Sequence, residues 1–436
     1  MLFRQFVDDD LGCASYLVGD REAGVAVVVD PSFRIEPYLE AAAEDGVRIE
    51  RVLETHTHAD HLSGHGRFAI EHDVPTAINP IAEPEYPFEP LNDGDVVEVG
   101  SVAIRVLHTP GHRPEHCSFV IDEKIALTGD SMFVGDAARP DLAVEAREGA
   151  SDLHASLGRL VDLGDDVEIY PGHVAGSLCG AKMSSERSST IRQERATNDA
   201  LSYLDVQEFV LVSASVSTPR PPTTEVVVAL NRGPWVARPA DPAELADFGD
   251  ATVLDVRPFA VYAEAHVPGA ISVPVDGGSF GTKAGFVLLR DEPVALHATS
   301  REEAVEAAWK LWAVGLLGLT GYVLAPAVTE SLPLLGVDDL KRLLDNADIQ
   351  LVDVRENNER DTGYIPGSRN IPYRLLRKLG CGALERSKPV VTVCESGPRA
   401  AIAASLLQRE GFDVSAVANG GIADFTDTVS FRRCGS

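Results

Sequence analysis

Three histidines and an aspartate crowd into His56-Thr57-His58-Ala59-Asp60-His61, just after the apolar pair Val52-Leu53. At a strand end, such spacing sends alternate side chains to one side and lets the following turn present the rest. Three more segments follow in order: Thr109-Pro110-Gly111-His112, Thr128-Gly129-Asp130 and Tyr170-Pro171-Gly172-His173. Each reads as a strand end, a tight glycine turn and a candidate ligand. Imidazole and carboxylate together suit zinc, iron or manganese. One such turn would say little; four in order define a metal cage. His65, His72, His108, His116 and His154 stand outside these turns and read as core or surface histidines.

A second chemistry is carried by Cys394-Glu395-Ser396-Gly397-Pro398-Arg399, which follows the apolar run Val390–Val393. Strand, tight loop and helix N-terminus together stabilise a thiolate, through the helix dipole and the loop amides. Successive N–H groups in such a loop form an anion nest, with Glu395, Ser396 and Gly397 facing a substrate and Arg399 adding a positive charge. A thiolate so placed can pick up, hold and pass on a sulfur atom. Cys394 and Arg399 are therefore the candidate catalytic pair. Six basic residues between Arg369 and Lys388 fit either an anion-binding surface or a solvated face.

The elements that must position these groups fall into two styles. Up to about residue 200, short β-branched runs (25–29, 96–99, 102–106) alternate with turn signals, as in a β-rich sandwich with interposed helices. Ten of the twelve histidines lie in this part. A helical stretch over 189–204 and a stiff linker at Ser217–Thr224 follow. Beyond the linker the chain repeats itself. Val253-Leu254-Asp255-Val256-Arg257 returns as Leu351-Val352-Asp353-Val354-Arg355, 98 residues later, and His266-Val267-Pro268-Gly269 returns as Tyr364-Ile365-Pro366-Gly367 at the same offset. Two copies of one small α/β domain are expected. In the first copy Ala298 stands in the place of Cys394 and Glu303 in that of Arg399, so neither nucleophile nor charge remains. The uncharged stretch Leu311–Val328 then reads as a buried helix end and a strand, not a membrane span.

Composition narrows the partners. Lys and Arg number 38 against 67 Asp and Glu, a formal charge of −29, which repels phosphate backbones and argues against nucleic acid. Six cysteines without regular spacing do not make a disulfide framework, and fit a reducing compartment. The charged opening residues 1–10 lack the apolar core of a signal peptide. A cytoplasmic protein without membrane contact is expected, and the composition is compatible with a homo-oligomer.

The metal motifs resemble the metallo-β-lactamase superfamily, over about residues 1–200. That resemblance implies two β-sheets flanked by helices, with His56, His58, His112 and Asp130 at one metal and Asp60, His61, Asp130 and His173 at a second. Two branches fit. Glyoxalase II-like enzymes use two metals, commonly zinc, to hydrolyse a thioester. Persulfide dioxygenases bind one non-haem Fe(II) through two histidines and one carboxylate, here His56, His112 and Asp130, with His58, Asp60, His61 and His173 as surrounding hydrogen-bonding groups. The stretch Gly129–Asp141, with its Arg139-Pro140-Asp141, resembles the second branch. There Arg139 would bind the carrier thiol's carboxylate, and Cys179 would face the substrate. Arg113 and Val174 depart from the usual residues beside the two histidine turns.

The cysteine loop, with the upstream Asp-Val-Arg and Ile-Pro-Gly motifs, resembles a rhodanese domain. Taken whole, the chain is similar to fused persulfide dioxygenase–sulfurtransferases. The fold class implied is α/β: an αββα sandwich over 1–230, a degenerate rhodanese-like domain over 240–328 and an active one over 333–432. The implied substrates are a low-molecular-weight thiol persulfide, O2, sulfite and thiosulfate.

Overall fold

The computed structural model describes residues 1–140, 145–174, 183–203, 205–214, 219–346, 348–379, 382 and 384–425. The chain forms two compact units, one of residues 1–239 with 312–316, the other of 240–311 with the chain from 317 onward.

In the first unit, the run Val25–Val29 shows why a sandwich forms. It is a strand whose side chains alternate between two cores. Val27 and Val29 join Tyr16, Leu53, Val106, Phe119 and Leu127 between two sheets. Ala26 and Val28 face the other way, toward Tyr38, Ala41 and Phe68 of the covering helices Glu36–Asp45 and His65–His72. The first sheet has six strands, ordered as in the sequence from Leu2–Val7 to Glu89–Pro90. The second also has six, in the order Ser189–Thr190, Glu168–Pro171, Ile125–Gly129, Cys117–Ile121, Val102–His108, Val96–Val99. Its outer face is covered by helix Ala146–Val161, through Leu153, Leu157 and Leu160.

Strand direction decides where the motifs meet. Ile125–Gly129 runs parallel to Glu168–Pro171 and antiparallel to Cys117–Ile121, which is antiparallel to Val102–His108. The strands that lead into His112, Asp130 and His173 therefore all end at one edge.

The second unit contains the repeat. In the first copy, four parallel strands are ordered Ile271–Ser272, Thr252–Asp255, Val294–His297, Leu319–Val323. In the second, five are ordered Leu334–Gly336, Val414–Asn419, Val390–Val393, Gln350–Asp353, Arg369–Asn370. The run 311–328 divides, as expected, into the end of helix Arg301–Ala313 and strand Leu319–Val323. Among the described residues, no helix is long and apolar enough to cross a membrane. The expected linker is shorter than its Pro-rich composition suggests. Helix Thr223–Arg232 begins inside it, because Pro222, with φ −57°, sits at the N-cap with its ring already helical.

The two copies are tied together by charge. Arg377 donates to both carboxylate oxygens of Glu292, one at 2.6 Å, and to the Val287 carbonyl at 2.8 Å. The Ser272 N–H donates to Ser405 Oγ at 3.1 Å. Arg377→Ala leaves the Glu292 carboxylate, 11% exposed, without its charge partner. This should cost about 2–3 kcal/mol, read as a lower urea midpoint of the second unit's transition. Three more basic residues of that stretch are also engaged: Arg374 with Glu356, Arg386 with the Glu410 carbonyl, Lys388 with Asp348. Of the two readings of this segment, the solvated, internally paired face is the one the structure favours.

Candidate metal centre and sulfur-transfer loop

His56 Nε2, His112 Nε2 and one carboxylate oxygen of Asp130 converge within 4.8 Å of one another, all three residues buried. Asp130 Oδ2 lies 3.4 Å from His112 Nε2 and 4.0 Å from His56 Nε2. His56 Nε2 and Asp130 Oδ2 have no hydrogen-bond partner among the described residues. Polar atoms so buried would each cost free energy unless a cation joined them, so these residues fit a metal. Burial, aided by neighbouring imidazoles, pushes the His56 pKa well down and also lowers that of His112. Their lone pairs are thus available at neutral pH. Each ring is aimed from behind, His56 Nδ1 by Thr55 Oγ1 at 2.9 Å and His112 Nδ1 by the Arg139 carbonyl at 3.2 Å.

Two glycines permit this crowding. A Cβ on Gly172 would sit 2.7 Å from Asp130 Oδ1, and one on Gly129, where φ is +49°, would sit 2.6 Å from His116 Nε2. His116, read from sequence as a core or surface histidine, is buried and accepts the Asp130 backbone N–H at 2.9 Å. It fixes the backbone of the carboxylate beside it. Burial lowers its pKa to about 3, which keeps it the neutral acceptor this bond needs.

The other four predicted residues surround the triad in carboxylate–imidazole pairs, although His58 Nδ1 and His61 Nε2 have no hydrogen-bond partner among the described residues. His173 uses both nitrogens, Nδ1 with Asp130 Oδ1 at 2.7 Å and Nε2 with Asp60 Oδ2 at 2.8 Å. His61 Nδ1 lies 3.2 Å from the same Asp60 oxygen. His58 Nε2 lies between two buried carboxylates, 3.2 Å from Asp30 and 3.1 Å from Glu54. Against burial, this pair holds the His58 imidazole well above its ordinary pKa.

Three residues near the centre carried no motif. Asp30, at φ +50°, accepts the Thr55 N–H and hydroxyl at 2.7 and 2.8 Å. Glu54 also pairs with His65 at 2.9 Å. Cys13 donates its thiol to Asp60 Oδ2 at 3.0 Å, and burial pushes its pKa well up.

In the second unit, Cys394 follows strand Val390–Val393 and precedes helix Pro398–Arg409. Its Sγ is nearly buried and accepts the Gly397 N–H at 3.1 Å. Gly397 has φ +111°, and a Cβ there would meet the Ala418 carbonyl at 2.4 Å. Arg399 is clamped by Glu359 through two bonds of 2.6 and 2.7 Å. Glu395 turns to Arg355 at 2.8 Å. In the first copy, Ala298 is buried and the Glu303 carboxylate accepts the Thr299 hydroxyl at 2.8 Å as well as its N–H. The acid at the arginine position thus bonds to its own loop. Cys179, Cys381, Asp141 and the tail from 426 lie outside the described residues.

Residues 8–173 match the metallo-beta-lactamase superfamily, and residues 239–325 and 336–428 match the rhodanese-like domain. The chain belongs to the metallo-beta-lactamase superfamily in its first part and carries two rhodanese-like domains in its second. Its first part is similar to the mitochondrial persulfide dioxygenase of Homo sapiens, 28% identical over 236 residues, which cover 53% of this chain and 87% of that protein. A hydroxyacylglutathione hydrolase of Rhodopseudomonas palustris is 33% identical over 168 residues, 36% of this chain and 61% of that one. The crystal structure of a metallo-beta-lactamase from Staphylococcus aureus covers 74% of this chain and 98% of its own, at 29% identity and a TM-score of 0.68.

Proposed function

We propose that the chain is a non-haem iron persulfide dioxygenase joined to a sulfurtransferase. The observation that carries the one-metal reading is the contrast between the two ligand sets. His56 Nε2 and Asp130 Oδ2 at the triad are buried without partners, as are His58 Nδ1 and His61 Nε2, but both nitrogens of His173, a ligand that a second ion would need, are taken up by carboxylates. Two histidines and a carboxylate form the face that non-haem iron uses, leaving positions for O2 and a sulfur ligand. When bound, the iron would supply O2 activation beside the persulfide. The balanced reaction is R–S–SH + O2 + H2O → R–SH + HSO3⁻ + H⁺. Around it, His116 and His173 hold Asp130 from its backbone and its far oxygen.

The second unit uses the same sulfur pool. Cys394–S⁻ takes sulfur from R–S–SH, giving Cys394–S–S⁻ and R–SH. Sulfite then removes that sulfur as thiosulfate and restores Cys394–S⁻. The Gly397 N–H and the nest around it stabilise the anion at each stage. Arg399, held charged by Glu359, adds a fixed field.

The test is metal content together with two assays. One iron per chain and O2 consumption with glutathione persulfide are expected. Two zinc ions per chain, rapid thioester hydrolysis and no O2 uptake would establish the thioesterase reading instead.

A further inference from the structure

The first rhodanese-like copy has lost its own chemistry, yet it lines a cavity of the second. Within the second unit, a cavity of about 280 Å3 is walled on one side by Ser396, Gly397 and Pro398 of the Cys394 loop. The opposite wall comes from the degenerate copy, as Phe259, Pro274, Asp276 and Lys283. At about 30 Å3 per water, the space is much larger than sulfite or thiosulfate would fill. Its chemistry is mixed. A phenyl ring and a proline give an apolar surface, Asp276 gives an exposed carboxylate, and the Lys283 ammonium is tethered at the wall by the Gly277 and Gly278 carbonyls, the first at 2.9 Å. An inorganic anion needs no apolar wall and gains nothing from a carboxylate.

The geometry points to the degenerate copy as the binding wall for the organic body of the sulfur carrier. The carrier class is a peptidic low-molecular-weight thiol persulfide, whose methylenes lie on Phe259 and Pro274 while its own ammonium and carboxylate groups meet Asp276 and Lys283. This rests on the reading of Cys394 as the sulfur-transferring thiol. The first copy's own loop carries Ala298 in place of a cysteine, so its contribution is to selectivity at the neighbouring loop.

Full-length wild type, Phe259→Ala and Lys283→Glu are compared with two sulfur donors, glutathione persulfide and thiosulfate. Each variant should lower the ratio of kcat/KM for the persulfide to that for thiosulfate about tenfold, mostly through KM for the persulfide. Both positions are partly exposed, and thermal melting checks that they fold. A ratio that stays within about twofold of wild type, or equal losses with both donors, overturns the wall. If Cys394→Ser transfers sulfur as well as wild type, the reading of Cys394 fails, a separate result.

Discussion

Cys394→Ser is expected to abolish sulfur transfer, by about 10^3-fold or more, while leaving persulfide-dependent O2 uptake in place. The substitution keeps the size of the side chain, and serine can still accept the Gly397 N–H, so the loop has no steric reason to change. What is lost is the thiolate nucleophile, for which a neutral hydroxyl is a poor substitute. The dioxygenase reaction as balanced above requires no atom of Cys394, so its rate should be unchanged and its product should shift from a sulfite–thiosulfate mixture to sulfite alone. Sulfite and thiosulfate measured on one reaction provide the check. Transfer that survives in the variant would hand the role to another thiol, Cys179 being the one the sequence singles out. O2 uptake lost together with transfer would mean that the two chemistries are not separable.

What the sequence reveals of these sites depends on how far apart in the chain the partners lie. The metal motifs are local. Each is a strand end followed by a glycine turn, and Gly129 and Gly172 are required by atoms of neighbouring turns, so the pattern is legible in short stretches. The repeat is legible for the same reason, and its first copy arrives with strands at the places the offset predicts. The groups around the triad and the cysteine loop that support them are not local. Cys13 reaches Asp60 across 47 residues, and Glu359 takes up Arg399 across 40. Nothing in the neighbours of Cys13 marks it, and nothing beside Arg399 announces that its fork is already engaged. His116 lay among histidines read as core or surface, and it is buried. Its importance comes from the atom it holds, the Asp130 backbone nitrogen, and only the sheet register brings the two together.

Asp130→Ala should remove the iron and with it O2 uptake, whereas His61→Ala should retain most of both. Asp130 supplies the sole carboxylate of the triad, and its Oδ2 is aimed at both imidazoles. Two remaining nitrogens would hold a divalent ion poorly. Iron by mass spectrometry is expected to fall to about a tenth of wild type or less, since the loss of one ligand usually exceeds the ~10–100-fold effect of losing a group that merely orients one. His61 is such an orienting group. Its Nδ1 rests 3.2 Å from Asp60 Oδ2, and Asp60 in turn holds His173, so its removal acts on Asp130 through three successive hydrogen bonds. The thioesterase reading makes the opposite forecast for His61, since there it ligates a second metal, and its removal would take away one of two ions and most of the hydrolysis. The pair of variants therefore separates the readings even where recombinant protein takes up zinc in place of iron. One ion per chain in wild type, unchanged in His61→Ala and lost in Asp130→Ala, would establish a single centre that includes Asp130 and would exclude a second ion at His61.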